Sequence, residues 1–421
     1  MRKILYILIP VILVWFSILA FYTESLDPGF DEFYSQNQAE VSDTENAAVG
    51  IAGLNAPPDV DFMRFGRDQI KNSIADMLSH EKGIKRNEIE GEIKFIGNAN
   101  ELGCWVSQPD AIKNYHLACA TDMQLQKMLI DNKILLKRYR EITKLRKNKV
   151  DAGLNGTLFL NINKLIAAEI KINLNNGRYE DAYLEWENNY KFLERLLASD
   201  VTWIDEAIYM VASSISINSA ELLINHYPDI VTVHGDELLN SLKPLGLERW
   251  NLTGIMRAEY NMFRIMLEST KIESNLDLNF IRNRFYRSAK SYLIAAKSAP
   301  INIEEESLKV STYYSDFDSN IIDYLHAPRS TILTRLWLRG HLKTGNIITT
   351  MYYHDSKLRI LTLAIMIKKQ GVNEAEIVPF IADSSKSLNN PFTGQPMKYD
   401  SKERALVFIA PGGNNKFYAH L

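Results

Sequence analysis

Histidines, serines and paired carboxylates are the residues most able to do chemistry, and in this chain they are scattered. The eight histidines are His80, His116, His226, His234, His326, His341, His354 and His420. None forms the H-E-x-x-H pair that sets two zinc ligands on one helical face. His226 and His234 flank Tyr227–Val233, a loop with Asp229, and read as structural. Asp316-Phe317-Asp318-Ser319-Asn320 opens like a calcium loop. It then puts Ile321 where glycine must turn the chain and Ala327 where a bidentate glutamate must close it. There is no G-x-S-x-G elbow and no phosphate-binding loop. Ser213, Ser214 and Ser216 fall in an apolar helical run, where a hydroxyl can bond back to the preceding turn. A glycosidase needs two carboxylates about 5–9.5 Å apart, and among 51 acidic residues spacing alone nominates no pair. No catalytic, cofactor or metal residue is assigned on this basis.

Cys104 and Cys119 are the two thiols. In an oxidising compartment so close a pair reads as a disulfide. Its loop of about 16 residues would be worth roughly 3 kcal/mol in the chain-entropy model. Free buried thiols are a second reading, and a metal site with His116 a third.

Charge gives a denser signal. Between Lys133 and Lys149, the residues Lys137, Arg138, Arg140, Lys144, Arg146 and Lys147 crowd a helical run in which Glu141 is the single acid. Such a run is either a solvated helix face, the simpler reading, or a patch for anionic lipid head groups or polyanionic envelope polymers. Asn279–Arg287 interleaves bases with aromatics, a mixture that can stack on single strands or glycans. At helical spacing Phe280, Ile281, Arg284 and Phe285 fit a packed amphipathic helix better. A net charge of −3 gives no argument for nucleic acid.

The elements that would position these groups begin with a membrane segment. Arg2 and Lys3 precede an uncharged, mostly apolar run, Ile4–Tyr22. At about 1.5 Å per helical residue it crosses most of a hydrocarbon core roughly 30 Å thick. It ends Leu19-Ala20-Phe21-Tyr22, with bulky aromatics where signal-peptide cleavage wants small side chains. The next base is Arg64, after Glu24, Asp27, Asp31, Glu32, Glu40, Asp43, Glu45, Asp59 and Asp61. The positive-inside bias keeps the N-terminus cytoplasmic and sends the rest of the chain outward. Thr23–Asp61, acidic and holding Pro28, Pro57 and Pro58, reads as a stem.

Beyond the stem, Phe65–His80 has helical spacing and Ile89–Ile96 alternates like a short half-buried strand. Met123–Arg146 reads as one amphipathic helix. It is followed by Leu158–Leu174, Arg178–Ala198 and Trp203–His226, with Asn175-Asn176-Gly177 as a left-handed cap between the first two. Thr202 and Asp205 form a capping-box variant. Further helices are expected at Trp250–Ser269, Phe280–Ala296, Arg329–Tyr353 and His354–Gln370. The chain then gives a turn at Pro391, Phe392 and Gly394, a second candidate interaction surface, and two strands, Pro396–Tyr399 and Ala405–Ile409. That hairpin is too apolar to stand free and should dock on the Leu358–Ile367 face or pair with Ile89–Ile96.

Gly177–Trp186 resembles the first helix of a tetratricopeptide unit, without a 34-residue recurrence, and implies helix-pair packing. Asn390-Pro391-Phe392-Thr393-Gly394-Gln395-Pro396-Met397-Lys398-Tyr399 resembles the D-P-F-[ST]-G-x-P-[LF]-x-Y tail of a poorly characterised group of membrane-anchored bacterial envelope proteins, with Asn390 in place of the usual Asp. The tail is also distantly similar to the C-terminal sheet of pseudopilins, although the chain has no prepilin-peptidase site. Gly53-Leu54-Asn55-Ala56-Pro57, Phe65-Gly66-Arg67 and Leu135-Leu136-Lys137-Arg138-Tyr139 resemble further blocks of the same envelope group. The resemblance supplies no catalytic residue.

The expected protein is therefore mainly α. Residues 1–22 are an anchor, 23–63 a stem, 64–120 a small α/β segment with the cysteine loop, 121–389 a helical domain and 390–421 a β-hairpin. Its expected place is the bacterial inner membrane, single-pass, with the lipid bilayer as one partner through residues 4–22 and an envelope protein as another. Its expected role is binding or scaffolding. The alternative is a cell-wall or envelope-polymer hydrolase.

Overall fold

A computed structural model describes residues 24–35, 41–79, 90–103, 120–146, 149, 155–244, 250–269, 276–297, 330–332, 334, 345–409 and 416–421. The expected anchor at 4–22, the Cys104–Cys119 pair, Lys147 and the run from Asp316 lie outside these residues. The chain is mainly helical, with a small three-stranded antiparallel sheet near its C-terminus. In chain order the helices used below are α1 Pro28–Ser35, α2 Ala47–Ala52, α3 Phe62–Ser79, α4 Ala99–Gly103, α5 Asp122–Asp131 and α6 Lys133–Ile142. They continue with α7 Gly156–Asn175, α8 Tyr179–Leu197, α9 Trp203–His226, α10 Ile230–Ser241, α11 Leu252–Ser269, α12 Leu278–Lys297, α13 Gly345–Gln370 and α14 Ile377–Asp383. Two compact units result: Met1–Ala39 with Glu259–Ile347, and Glu40–Ala258 with Ile348–Leu421.

The smaller unit is organised by aromatic rings. Phe30 and Tyr34 of α1 are buried with Tyr260, Phe263, Phe280 and Phe285. Phe30 meets Tyr260 edge-on at 5.3 Å and Phe263 stacks on Phe285 at 5.0 Å, offset arrangements that ring quadrupoles favour. Asn283 ties the N-terminal segment down, accepting from Asp27 N–H at 2.7 Å and donating to Ser25 O at 2.8 Å. Arg287 pairs with Glu24 at 3.0 Å. The bases of Asn279–Arg287 thus flank a packed amphipathic helix.

That corrects the stem. Phe30 and Tyr34 of residues 24–35 belong to a core, and in the larger unit Asn46–Ile51, Gly53, Leu54, Ala56 and Pro57 are buried. The acids of this segment lie on the exposed side of α1 (Asp31, Glu32) and in the turns around α2, which is itself small, apolar and without an acid. Gly53 and Gly66 let α2 and α3 approach backbone to backbone. A Cβ on Gly53 would lie 1.8 Å from Phe62 O, and one on Gly66 1.9 Å from Val49 O. Asn46 caps α2 and closes the region by exchanging two hydrogen bonds with the backbone of Lys149, at 2.9 and 3.0 Å.

The heart of the larger unit is three mutually packed helices, α7, α8 and α9. Asn155 caps α7 by accepting from Leu158 N–H. Gly177, at φ 68°, ends it as the sequence predicts: Arg178 N–H returns to Asn173 O at 2.8 Å and Gly177 N–H to Leu174 O at 3.0 Å. Thr202 caps α9, and its hydroxyl donates to the Asp205 carboxylate at 2.6 Å. α9 is apolar and long enough to cross a membrane. It is here a core helix, with Tyr209, Ala212, Ile217, Ala220 and Leu223 buried against its neighbours.

Three expected elements differ. The single helix over Met123–Arg146 is broken at Asn132, which is buried and spends its side chain on tertiary bonds. Its amide donates to Ile96 O at 2.7 Å and accepts from Ile96 N–H at 2.9 Å. The same bonds explain why the described part of Ile89–Ile96 forms no strand: its backbone pairs with Asn132 and Asn55 instead of a ladder. α13 runs unbroken through His354, where two helices were expected to meet.

The C-terminal hairpin gains a third strand. β1 Lys398–Asp400 pairs with β2 Ala405–Ile409, and β2 pairs with β3 Lys416–His420, register Val407 opposite Tyr418. The C-terminal region meets α13 one turn before the expected Leu358–Ile367 face, where Phe392 and Phe408 approach Tyr353 at 5.1 and 6.2 Å, and it does not pair with Ile89–Ile96 among the described residues. Lys357 lies over the Phe417 ring.

Candidate functional site

Arg138, Tyr139 and Arg140 are consecutive on α6, so each points about 100° from the last, and the three enter different surroundings. Arg138 turns inward at 6% exposure. Its guanidinium donates to the carbonyls of Leu54 at 3.0 Å, Ala56 at 2.5 Å and Pro57 at 2.7 Å. The three blocks Gly53–Pro57, Phe65–Arg67 and Leu135–Tyr139 are therefore one junction, with Gly66 against Gly53 and Arg138 clamping the loop between. Tyr139 is buried, its hydroxyl between Asn189 Oδ1 at 2.7 Å and Asn163 Oδ1 at 3.1 Å. Burial pushes that phenol well above its ordinary range.

Arg140 faces an open cleft of about 590 Å³ built by α5 to α8. It donates to Glu169 of α7, and to Glu185 of α8 at 3.0 Å. Burial pushes the Glu185 carboxyl up, Arg140 pulls it down, and neighbouring Glu169 raises it again; the net shift is upward. Asp181 and Arg178 stand at the mouth, both exposed. Leu129, Ile130 and Leu184 supply an apolar rim, with Ile130 68% and Leu184 45% exposed. The chemistry available is recognition: charged groups already oriented, beside aliphatic surface open to solvent.

The expected basic patch is thereby divided. Arg138 is a structural clamp and Arg140 belongs to the cleft, while Lys137, Lys144 and Arg146 remain exposed. The turn at Pro391, Phe392 and Gly394 is also mostly internal. Pro391 and Phe392 are buried, and Gly394, at φ 67°, is exposed. Asn390 accepts from Phe392 N–H at 2.9 Å and donates to Ile409 O at 3.4 Å. An aspartate could accept the first bond but could not donate the second, which accounts for Asn at this position. This surface is a lock between α13 and the sheet.

Two histidines find partners that spacing could not show. His354 is buried with Nε2 2.8 Å from Ser213 Oγ and the Trp250 ring edge-on at 5.4 Å. Burial pushes its imidazole down to about 3. A serine–histidine pair of this kind is sealed from substrate and serves packing, not nucleophilic attack. His234 stacks on Tyr183 at 3.8 Å and bonds Glu180 at 2.9 Å. Among the described residues no cluster of His, Cys, Asp and Glu could hold a metal ion. No family model matches this chain, and no curated protein or solved structure matches it either.

Proposed function

We propose that the chain is a membrane-anchored, extracytoplasmic helical protein acting as a binding or scaffold component of the bacterial cell envelope. Residues 4–22 hold it as a single pass in the inner membrane, N-terminus cytoplasmic, bulk periplasmic, as its charge asymmetry and its envelope-type tail suggest. The observation that carries the reading is the cleft, with its exposed Ile130 and Leu184 rim over carboxylates already neutralised in part by Arg140. A hydrolase would draw on Glu169 and Glu185. A general acid must present its proton to a substrate's leaving group, and both carboxylates instead turn to the Arg140 guanidinium between them.

Two measurements test the proposal. A reporter fused after Leu421 is expected to be active only outside the cytoplasm. A photo-crosslinking residue at Leu184 is expected to give a discrete adduct in intact cells, while one at Val211, also exposed but on α9, gives none. Cytoplasmic reporter activity, or equal labelling from both positions, would refute it.

A further inference from the structure

The cleft has more acids than bases. Among its lining residues Glu169, Asp181 and Glu185 face two cations, Arg140 and Arg178. Arg140 serves both glutamates, so one carboxylate charge in the partly desolvated floor has no counter-charge of its own. A second feature is independent of charge. Asn173 lines the same cleft at 8% exposure, yet its side-chain amide has no hydrogen-bond partner among the described residues. An amide in the wall of an open cleft can exchange its water for a polar group of a ligand. An amide presents one acceptor and two donors, the complement of a peptide group.

We infer that the cleft binds an extended segment of a partner protein through a lysine or arginine side chain placed against Glu169 and Glu185, with Asn173 paired to the segment's backbone. Leu129, Ile130 and Leu184 then cover the neighbouring aliphatic side chains. The openness of the cleft suits a chain passing across it better than an enclosed small molecule. This deepens the docking reading above and rests on it.

The test uses the full chain in detergent and a short, terminally blocked peptide alternating leucine with lysine. Peptides with glutamine or glutamate in place of lysine are the comparisons. Binding is read by fluorescence anisotropy. The lysine peptide is expected to bind at least about 10-fold more tightly than the glutamine peptide, as a charge-assisted contact implies. Glu169→Gln should remove most of that advantage and leave the glutamine peptide unaffected. Asn173→Ala should weaken both peptides by the same factor, because it acts on the backbone. Asp181→Asn, at an exposed position, gives a second reading of the charge term should Glu169→Gln lower folded yield. Equal affinity for the lysine and glutamine peptides, or a lysine advantage untouched by both acid variants, would overturn the inference. If Leu184 still crosslinks a partner in cells, that outcome removes the basic specificity and leaves docking intact. If lysine is preferred but Leu184 captures nothing, the docking reading fails and the charge preference does not.

Discussion

Arg138 spreads its guanidinium over the carbonyls of Leu54, Ala56 and Pro57, whereas Arg140, two residues on, keeps 40% of its side chain exposed and divides it between Glu169 and Glu185. The first compensates a buried cation with backbone dipoles and has no carboxylate bonded to it among the described residues. Burial accordingly lowers its pKa, with Glu141, three residues on along the same helix, working against that. The second is desolvated too, but two carboxylates outweigh that and raise its pKa. One charge is consumed in joining segments more than 80 residues apart in sequence. The other stays where an incoming group could share it. Side chains of one type on one helical turn can thus be architecture and site, and only their partners tell them apart.

The largest effect should come from removing the clamp. Arg138→Ala leaves buried carbonyls of Leu54 and Ala56 without donors, and thermal unfolding of the full chain in detergent should register a loss of about 3–5 kcal/mol. Arg138→Lys keeps the charge but cannot span three acceptors with one ammonium, so about half of that loss should remain. An unchanged melting temperature in either variant would mean the carbonyls find water instead. Next in size is Gly66→Ala. It forces a methyl against Val49 O and should cost about 2–3 kcal/mol by prising α2 from α3. If that substitution were neutral, the close approach of the two backbones would be dispensable to the junction.

Neither the clamp nor the glycine contact could be read from composition. The segment 23–63 looks like a stem because its acids are counted and its partners are not; Gly53 and Gly66 matter only once they are opposite each other. Asn132 breaks a helix that its neighbours favour because Ile96, 36 residues earlier, takes its side chain. By contrast, the α7–α8 turn and the Thr202 cap were legible, since each depends on residues within one helical turn. The third strand, Lys416–His420, escaped because its pairing with β2 is set by tertiary register and its five residues carry little pattern of their own. The cleft was illegible for the same reason as the clamp. Arg140 finds Glu169 29 residues away and Glu185 45 residues away.

Arg140→Ala should be milder than the clamp variants and dependent on pH. Without the guanidinium, Glu185 sits beside Glu169 in a partly desolvated cleft, and its carboxyl, already shifted upward, rises further. A carboxyl whose folded pKa exceeds its unfolded one binds its proton more tightly when folded, so stability falls as pH rises through that interval. The variant should lose about 1–2 kcal/mol at pH 7, screened because Arg140 is partly exposed. Much of that should return as the pH approaches the ordinary carboxylate range. Adding Glu169→Gln should restore stability at pH 7 by removing the repulsion. A loss independent of pH would show that Arg140 acts by packing alone.

The smallest effect sharpens the comparison from its far side. Lys137, Lys144 and Arg146 belong to the same basic run but are exposed, and no ion pair to them is found among the described residues. Replacing all three with alanine should therefore change stability by no more than about 0.5 kcal/mol per site, the usual range for surface positions away from caps and networks. The same triple variant tests the lipid reading at the exposed bases, since Arg138 is buried and Arg140 is already paired with Glu169 and Glu185. If exposed lysines near the bilayer attract anionic lipid at about 1 kcal/mol each, the variant should co-sediment less than the unaltered chain with vesicles rich in phosphatidylserine but equally with neutral ones, and the difference should vanish at high salt. Unaltered co-sedimentation at low salt would assign these three to a solvated face. The sequence's basic run would then resolve into a clamp, a cleft residue and a surface that does nothing specific.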